Sequence, residues 1–523
     1  MGMDVMTRRG RLTGKSRIRK GAGKNFVQLP FQNLSIPFAP LDIISTDEIE
    51  SIHGASLDIL ENIGINFLLK EAREILKLVG ADVKDGEKRV RFDRSLIEEL
   101  IEKAPSKFTF HARNPAHNIK YGENNINFVL VASPPNSTDL IGGRRAGNFN
   151  DFCNFIRLGQ ALNIIHQIGG YPVEPADIPA NIRYLKAESE AIKLCDKGLF
   201  GYSLGRDRIR DSMEMVRIAR GISWEQMHLE PSILTTVNAN SPLQYDIPML
   251  IGMIEMARNN QPVNITPFTL AGAMAPVTIS GAIVQQNAEA LAGISFIQAV
   301  NPGAPVFYGG FTSNVDMKTG APAFGTPEYA KSVLIGGQLT RRYSIPYRSS
   351  NVNSSNAPDG QAVYESQMSL WPCIMSQCNM VKHACGWIEG GLSASFEKVI
   401  IDAEMLQMLA EFLQPVPVNN EEFGIDAIRE VGPGGHFFGA SHTVERYEEA
   451  FYSPILSDWR NFETWVEDGA IDATHRAHRI YKQLLEAFEP PPLDQGIEEE
   501  LDAFVQRRIT EGGQDPNDYG EKK

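Results

Sequence analysis

Eight short apolar runs between residues 126 and 387, each trailed by an amphipathic segment of helix length, predict an α/β protein. They recur every 30 to 40 residues or so, about the room a crossover helix needs, so the strands should pair in parallel. Eight such units closing on themselves make a (β/α)8 TIM barrel, whose usual size of roughly 250 residues suits the stretch 125–410. An open doubly wound sheet would instead carry a glycine-rich fingerprint after its first strand. Here Val131 is followed by Ala-Ser-Pro-Pro-Asn-Ser, which cannot cradle a pyrophosphate, and Gly201-x-x-x-Gly205-Arg206 lacks the Lys-Ser/Thr of a P-loop.

In chain order, residues 1–40 form a basic arm expected to be disordered, with eight Lys and Arg against Asp4 alone in the first 30 residues. Residues 41–124 read as an N-terminal α/β extension. Ser45-Thr-Asp-Glu48 starts a helix, a second runs over Leu69 to Val79, and a third over Arg94 to Lys103, among short strands near Arg89, Lys107 and Asn118. The barrel runs are Ile126 to Val131, Ile164 to Gly169, Gly198 to Ser203, Ile233 to Val237, Val263 to Phe268, Val306 to Gly310, Ile345 to Ser349 and His383 to Trp387. Residues 411–511 follow as a glycine-dense loop and helices, including Glu445 to Phe451, Phe462 to Val466 and Ala473 to Ala487. Residues 512–523 are polar and expected to be disordered.

At 523 residues and 42% hydrophobic content the chain can bury a large core. Its net charge is -14; the arm's +7 leaves -21 on the rest, which argues against a nucleic-acid-binding face. No run of 18 apolar residues suggests a membrane span, and the arm lacks the apolar segment of a secretory signal. Five irregularly spaced cysteines suit a reducing compartment, so a cytoplasmic protein is expected.

In a barrel of this kind reactive groups stand at the C-terminal ends of the strands. Those ends offer Tyr308 with Phe311, Tyr347 with Asn351 and Asn353, and Trp387 with Glu389. Aromatic faces attract a quaternary ammonium, and a carboxylate such as Glu389 can supply the counter-charge. The alternative for Tyr308 and Tyr347 is an inward place in the barrel core.

His383-Ala-Cys385 has the spacing that puts two side chains on one strand face, the basis for a zinc-dependent alternative, but further ligands are missing and no tightly bound metal is expected. Gly-x-Ser-x-Gly is absent, and of the lysines only Lys382 borders a strand run. Catalysis by positioning is therefore expected. The loop Gly432-Pro-Gly-Gly-His436 can present backbone N–H groups to an extended cofactor or a partner through Gly434, Gly435 and His436, or serve as a plain connection.

Taken together, Gly432-Pro-Gly-Gly-His-Phe437 with His442-Thr443, Ala271-Gly-Ala-Met-Ala-Pro-Val-Thr278 with Gln285-Gln-Asn-Ala-Glu289, Tyr308-Gly-Gly310 with Asp316-Met-Lys-Thr-Gly320, and Glu389-Gly-Gly-Leu-Ser393 resemble the trimethylamine methyltransferase family. The likeness runs from about residue 40 to 495. It implies a methyltransferase that passes a methyl group from an amine to the Co(I) corrinoid (cobalamin) of a separate, cognate corrinoid protein. Founding members carry pyrrolysine after the seventh strand. The matching loop here, Ser349 to Gln361, holds only standard residues, with Asp359 and Gln361 fitting the family's cofactor-side pattern and the special position falling near Asn356.

That departure makes this chain similar to the branch acting on glycine betaine. A quaternary amine leaves as a neutral tertiary amine without a proton, so holding the cation can suffice. Tyr308, Phe311, Tyr347 and Trp387 would hold the cation; Glu389, Asn351 and His383 would be the catalytic set, with His383 and Asn351 on a betaine carboxylate. A homo-oligomer is expected. A catalytically silent betaine-binding barrel is the alternative from outside enzymes.

Overall fold

The computed structural model describes residue 26, residues 28–515 and residues 517–520; most of the expected basic arm (1–25 and 27) lies outside the described residues, as do 516 and 521–523. The fold is mixed α/β around a curled eight-stranded sheet. Seven of its strands are parallel: β1 (Asn125–Phe128), β2 (Leu199–Phe200), β3 (Ile233–Val237), β4 (Val263–Ile265), β5 (Val306–Gly309), β6 (Tyr347–Ser350) and β7 (Met380–Lys382). They run β1-β7-β6-β5-β4-β3-β2, and a short strand, Leu34–Ser35, lies antiparallel on β1. Between the two ends of this order sits one residue, Gln167, bridged in parallel to Val129 and to Gly198.

Two of the expected strands differ from their runs. Ile164 to Gly169 contributes only the Gln167 bridges, and next to them the His166 ring accepts the Phe128 N–H at 2.9 Å, a donor that a regular ladder would use. The last strand is Met380–Lys382, three residues earlier than the run that begins at His383. A lysine at its end hid it: Lys382 is buried, and buried lysines are rare enough that polarity reads as a strand boundary.

Most helices fall where periodicity and caps put them. Ser45 caps Thr46–Asp58 with a capping box to Glu48, and Asp472 caps Ala473–Glu486. A helix not anticipated, Gln495–Thr510, packs on Arg183–Leu194 and Arg206–Arg220. Glu445 to Phe451 is turn rather than helix.

Both termini were expected to be disordered, yet described parts of each are docked. Leu34 and Ile36 are buried beside β1. At the other end Gln514 is buried: it accepts the Arg208 N–H at 2.6 Å and donates to the Leu204 carbonyl at 2.9 Å. Helix Arg206–Arg220 begins after Gly205, which has no side chain to cap it, so the tail satisfies its free donors.

The hairpin of Lys107–Phe110 and Ile119–Gly122 plugs one end of the sheet's interior, where Phe110, Ile119 and Tyr121 pack with Val129, Leu234, Phe307 and Met380. Among the described residues no helix is long and apolar enough to cross a membrane.

Candidate active site

The interior cluster defines which side of each strand faces inward. Phe307 and Met380 belong to it, and Arg348 is the register partner of Met380. Paired residues of a sheet share a face, so Arg348 points inward, as does Lys382, two residues beyond Met380.

By the same alternation Tyr308 and Tyr347 point outward, into the layer between sheet and helices. The Tyr308 hydroxyl donates to Asn287 at 3.0 Å and accepts from Gln286 at 3.2 Å, both on helix Ile279–Val300. The Tyr347 hydroxyl donates to the Val333 carbonyl at 3.0 Å. It is seated against Gly310 and Gly336, where an added Cβ would come within 2.6 Å and 2.5 Å of it. Neither residue lines the interior, so neither can hold a substrate there. Both fall outside the two alternatives considered, substrate contact and inward core.

Beyond the strand ends, the chain after β4 and β5 continues as a second small sheet, Phe268–Ala271 parallel to Phe311–Val315, with Pro322–Ala323 antiparallel at its edge. The register sets Phe268 beside Phe311, ring centroids 5.2 Å apart, and the return strand brings Phe324 to 5.6 Å from Phe311. Phe324 in turn meets Trp387 edge-on at 5.2 Å. His383 lies 6.1 Å from Phe311 and stacks on Trp387. Phe311, His383 and Trp387 thus come together as anticipated, joined by Phe268 and Phe324.

Under these rings lie two cations that the strand-end list omitted. Arg348 is 2% exposed, with its guanidinium carbon 5.1 Å from the Phe311 centroid and its Nε and Nη1 without a protein partner. Lys382 donates to the Thr236 hydroxyl at 3.0 Å and sits 4.4 Å from the Phe200 centroid. Burial brings Arg348 down to about 10 and Lys382 well below the usual lysine range. Burial, with Arg348 and Lys382 nearby, also holds His383 well below its ordinary value, so the ring is neutral, and its Nδ1 has no partner.

The loop after β6 is held by its backbone. Glu365 accepts the Ser354 and Ser355 N–H groups at 2.8 and 3.0 Å, and Asn353 donates to the Trp387 carbonyl at 2.8 Å. Asn351 donates to the Ala384 carbonyl at 3.0 Å and to Asp402 at 3.3 Å. The Oδ1 atoms of Asn351 and Asn353 are buried without partners, whereas Asn356 is exposed. Asp359 caps helix Gly360–Met375 through the Gln361 and Ala362 N–H groups, and Gln361 donates to Glu365 at 2.8 Å.

Glu389 sits on the rim, where Arg144 donates to its carboxylate at 2.9 Å and the Ser393 hydroxyl donates to the same oxygen. Its counter-charge is thus taken by an arginine. Gly434, Gly435 and His436 are exposed, in a loop whose Phe438 is 89% exposed.

His383 and Cys385 do not share a strand face. Residues 383–386 are a turn that His383 enters with φ of 56°, and Cys385 answers electrostatically to Asp402, Lys398 and Lys197 while His383 answers to Arg348 and Lys382. Among the described residues no three His, Cys, Asp or Glu side chains converge as a metal-binding group. A separate apolar space behind Phe200, lined also by Phe152, Tyr171 and Tyr202, contains Glu188, whose carboxyl burial pushes up to about 8; no basic side chain lines it.

Comparison with known proteins bears on what such a site serves. Glycine betaine methyltransferase of Desulfitobacterium hafniense (strain Y51) is 36% identical over 475 residues, covering 91% of this chain and 98% of that protein. Trimethylamine methyltransferase MttB of D. hafniense (strain DSM 10664 / DCB-2) is 27% identical over 473 residues, covering 90% and 94%. The crystal structure of the hydroxylamine MtmB complex shares the fold, with a TM-score of 0.51 at 11% identity over 88% of this chain and 89% of that one. The model of the family described as trimethylamine methyltransferase (MTTB) matches residues 7–513, nearly the full length, and the chain belongs to that family.

Proposed function

We propose that this protein transfers a methyl group from a small quaternary amine, glycine betaine or a related betaine, to the Co(I) centre of a corrinoid carried by a cognate partner protein. The observation that carries this reading is the ring cluster of Phe268, Phe311, Phe324, Trp387 and neutral His383 beyond the strand ends. Apolar ring faces attract a quaternary ammonium through their quadrupoles and do not require a hydrogen-bond donor on it. Family membership supports the reaction class, and the 36% identical glycine betaine methyltransferase supports the betaine class.

The corrinoid acceptor supplies the nucleophile. The residues of this chain bind and orient: as the methyl carbon leaves, the C–N electron pair stays on nitrogen and a neutral tertiary amine departs. No proton has to be delivered, which suits a site whose imidazole is held neutral by burial and by the neighbouring Arg348 and Lys382. Asn351 and Asn353, with their free Oδ1 atoms, stand next to the turn that carries His383 and Trp387.

The curled sheet is taken to close as a (β/α)8 barrel, with Gln167 as the link between β1 and β2; its two parallel bridges support that reading. The corrinoid protein is expected over the ring cluster, with Gly434, Gly435 and His436 in its reach, because an exposed loop bearing Phe437 and Phe438 suits a partner surface better than a buried cofactor. The test is a purified mixture of this protein, glycine betaine and a Co(I) corrinoid. Methylated corrinoid and dimethylglycine should appear together, and absence of transfer from every quaternary amine tried would overturn the proposal.

A further inference from the structure

We propose that Arg348 and Lys382 form an anion seat beneath the ring cluster, which receives the substrate's carboxylate and makes the enzyme select zwitterionic over purely cationic quaternary amines. This rests on the quaternary-amine reading above and assigns the substrate's second charge to two residues.

The first argument is geometric. Arg348 and Lys382 stand on neighbouring strands whose register pairs Arg348 with Met380 and Ser350 with Lys382, so Arg348, Ser350 and Lys382 share the inward face. Arg348 lies against Phe311, a member of the ring cluster, and Lys382 against Phe200 lower in the interior. The seat and the cation site are therefore adjacent, as the two ends of a short betaine require.

The second argument is what is missing around them. Other buried cations in this protein are satisfied: Lys398 by Asp402, Arg206 by Glu255 and Glu71, Lys197 by the Gly159 and Leu162 carbonyls. Arg348 has two buried guanidinium nitrogens with no partner, and Lys382 has a single neutral hydroxyl, Thr236. The largest electrostatic influences on Arg348 come from Tyr329, Cys378, Cys373 and Tyr347, and the one named for Lys382 is Arg348 itself. His383, from the following turn, is neutral, and among the described residues no carboxylate pairs with Arg348 or Lys382. Burying two like charges without a counter-ion is strongly unfavourable, and an arriving carboxylate removes that penalty.

The chemistry of the donors narrows the class. A guanidinium presents a planar fork that matches a carboxylate, with Lys382 as a second point charge and the unpartnered Ser350 hydroxyl on the same face. Burial lowers the proton affinity of Lys382 and a nearby anion raises it, so the carboxylate and the charged form of Lys382 favour one another.

Calorimetric titration tests this with four ligands: glycine betaine, choline, tetramethylammonium, and tert-butylacetate, in which carbon replaces the quaternary nitrogen. The wild-type protein should bind glycine betaine at least about 30-fold tighter than choline and should bind tert-butylacetate measurably. Arg348→Gln should lose about 100-fold or more of the betaine affinity and all detectable tert-butylacetate binding, while choline affinity stays within about threefold. Lys382→Met should weaken glycine betaine and tert-butylacetate binding about tenfold or more while choline affinity stays within about threefold. Removing an unpaired buried cation should leave Tm unchanged or higher; a Tm lowered by several degrees in both variants would mark the pair as structural and overturn the proposal.

Equal wild-type affinity for betaine and choline, or unchanged betaine binding in Arg348→Gln, would overturn it as well. Failure of the quaternary-amine reading looks different: choline and tetramethylammonium would not bind, while tert-butylacetate would still bind in an Arg348-dependent way.

Discussion

His383 lies nearly flat against Trp387, the ring centroids 5.5 Å apart and the planes 19° from parallel. The left-handed backbone of His383 and the positive φ of Gly386, 97°, fold the turn so tightly that two residues four apart in sequence stack. The His383–Trp387 side of the ring cluster is thus made by a turn, where a strand was expected.

Trp387 supplies the largest ring face of that cluster. Trp387→Leu should raise the KM for a quaternary amine about tenfold with a smaller change in kcat, since a cation–ring contact is worth on the order of 1 kcal/mol when partly desolvated. Steady-state methyl transfer measures it. An unchanged KM would move the cation site away from this ring.

His166 makes stability depend on pH. Burial brings it down to about 4, with Nδ1 accepting the Phe128 N–H and Nε2 donating to the Gln32 carbonyl. Below the ordinary histidine value near 6.5 the unfolded chain binds a proton that the folded one refuses. Stability should therefore be flat above that value and fall as pH drops from about 6.5 toward 4, by roughly 3 kcal/mol from this residue. Urea unfolding at several pH values checks it, and His166→Gln should flatten the slope; His383, shifted in the same direction, adds to the wild-type curve.

Lys398 and Asp402 are a fully buried ion pair, and Asp402 also accepts the Gly386 N–H at 2.8 Å and bonds Asn351. Asp402→Ala would leave Lys398 charged and unpaired while freeing the turn that carries His383. A loss of about 3 to 5 kcal/mol is expected in denaturant unfolding. Lys398→Met with Asp402→Leu should recover most of that stability but not the methyl-transfer rate, because the Gly386 and Asn351 contacts stay lost.

Glu389 pairs with Arg144, whose side chain is 52% exposed. Pairs of that kind contribute little. Glu389→Gln should change the transfer rate less than about threefold and leave Tm nearly unchanged; a hundredfold loss of rate would return Glu389 to the catalytic set.

Much of the framework was legible because its signals are local. Ser45 and Asp472 cap their helices through side-chain chemistry within one turn, and Ile233–Val237 carries its strand signal in five residues. That Phe311 and Trp387 lie beyond strand ends was legible from position alone. That Tyr308 and Tyr347 face outward and Arg348 inward was not legible, for one shared reason. A strand of this sheet is buried on both faces, so polarity does not alternate along it, and nothing in Val306–Gly309 or Tyr347–Ser350 says which side is the interior.

By itself, then, the sequence determined the α/β class, the order of the units and the family, because periodicity, caps and motif spacing are properties of short stretches. Only the tertiary structure decided that the two tyrosines hold helices, that Glu389 answers to Arg144, and that Arg348 and Lys382 meet in the interior. Those facts depend on register between strands tens to hundreds of residues apart, where a shift of one residue exchanges the two faces.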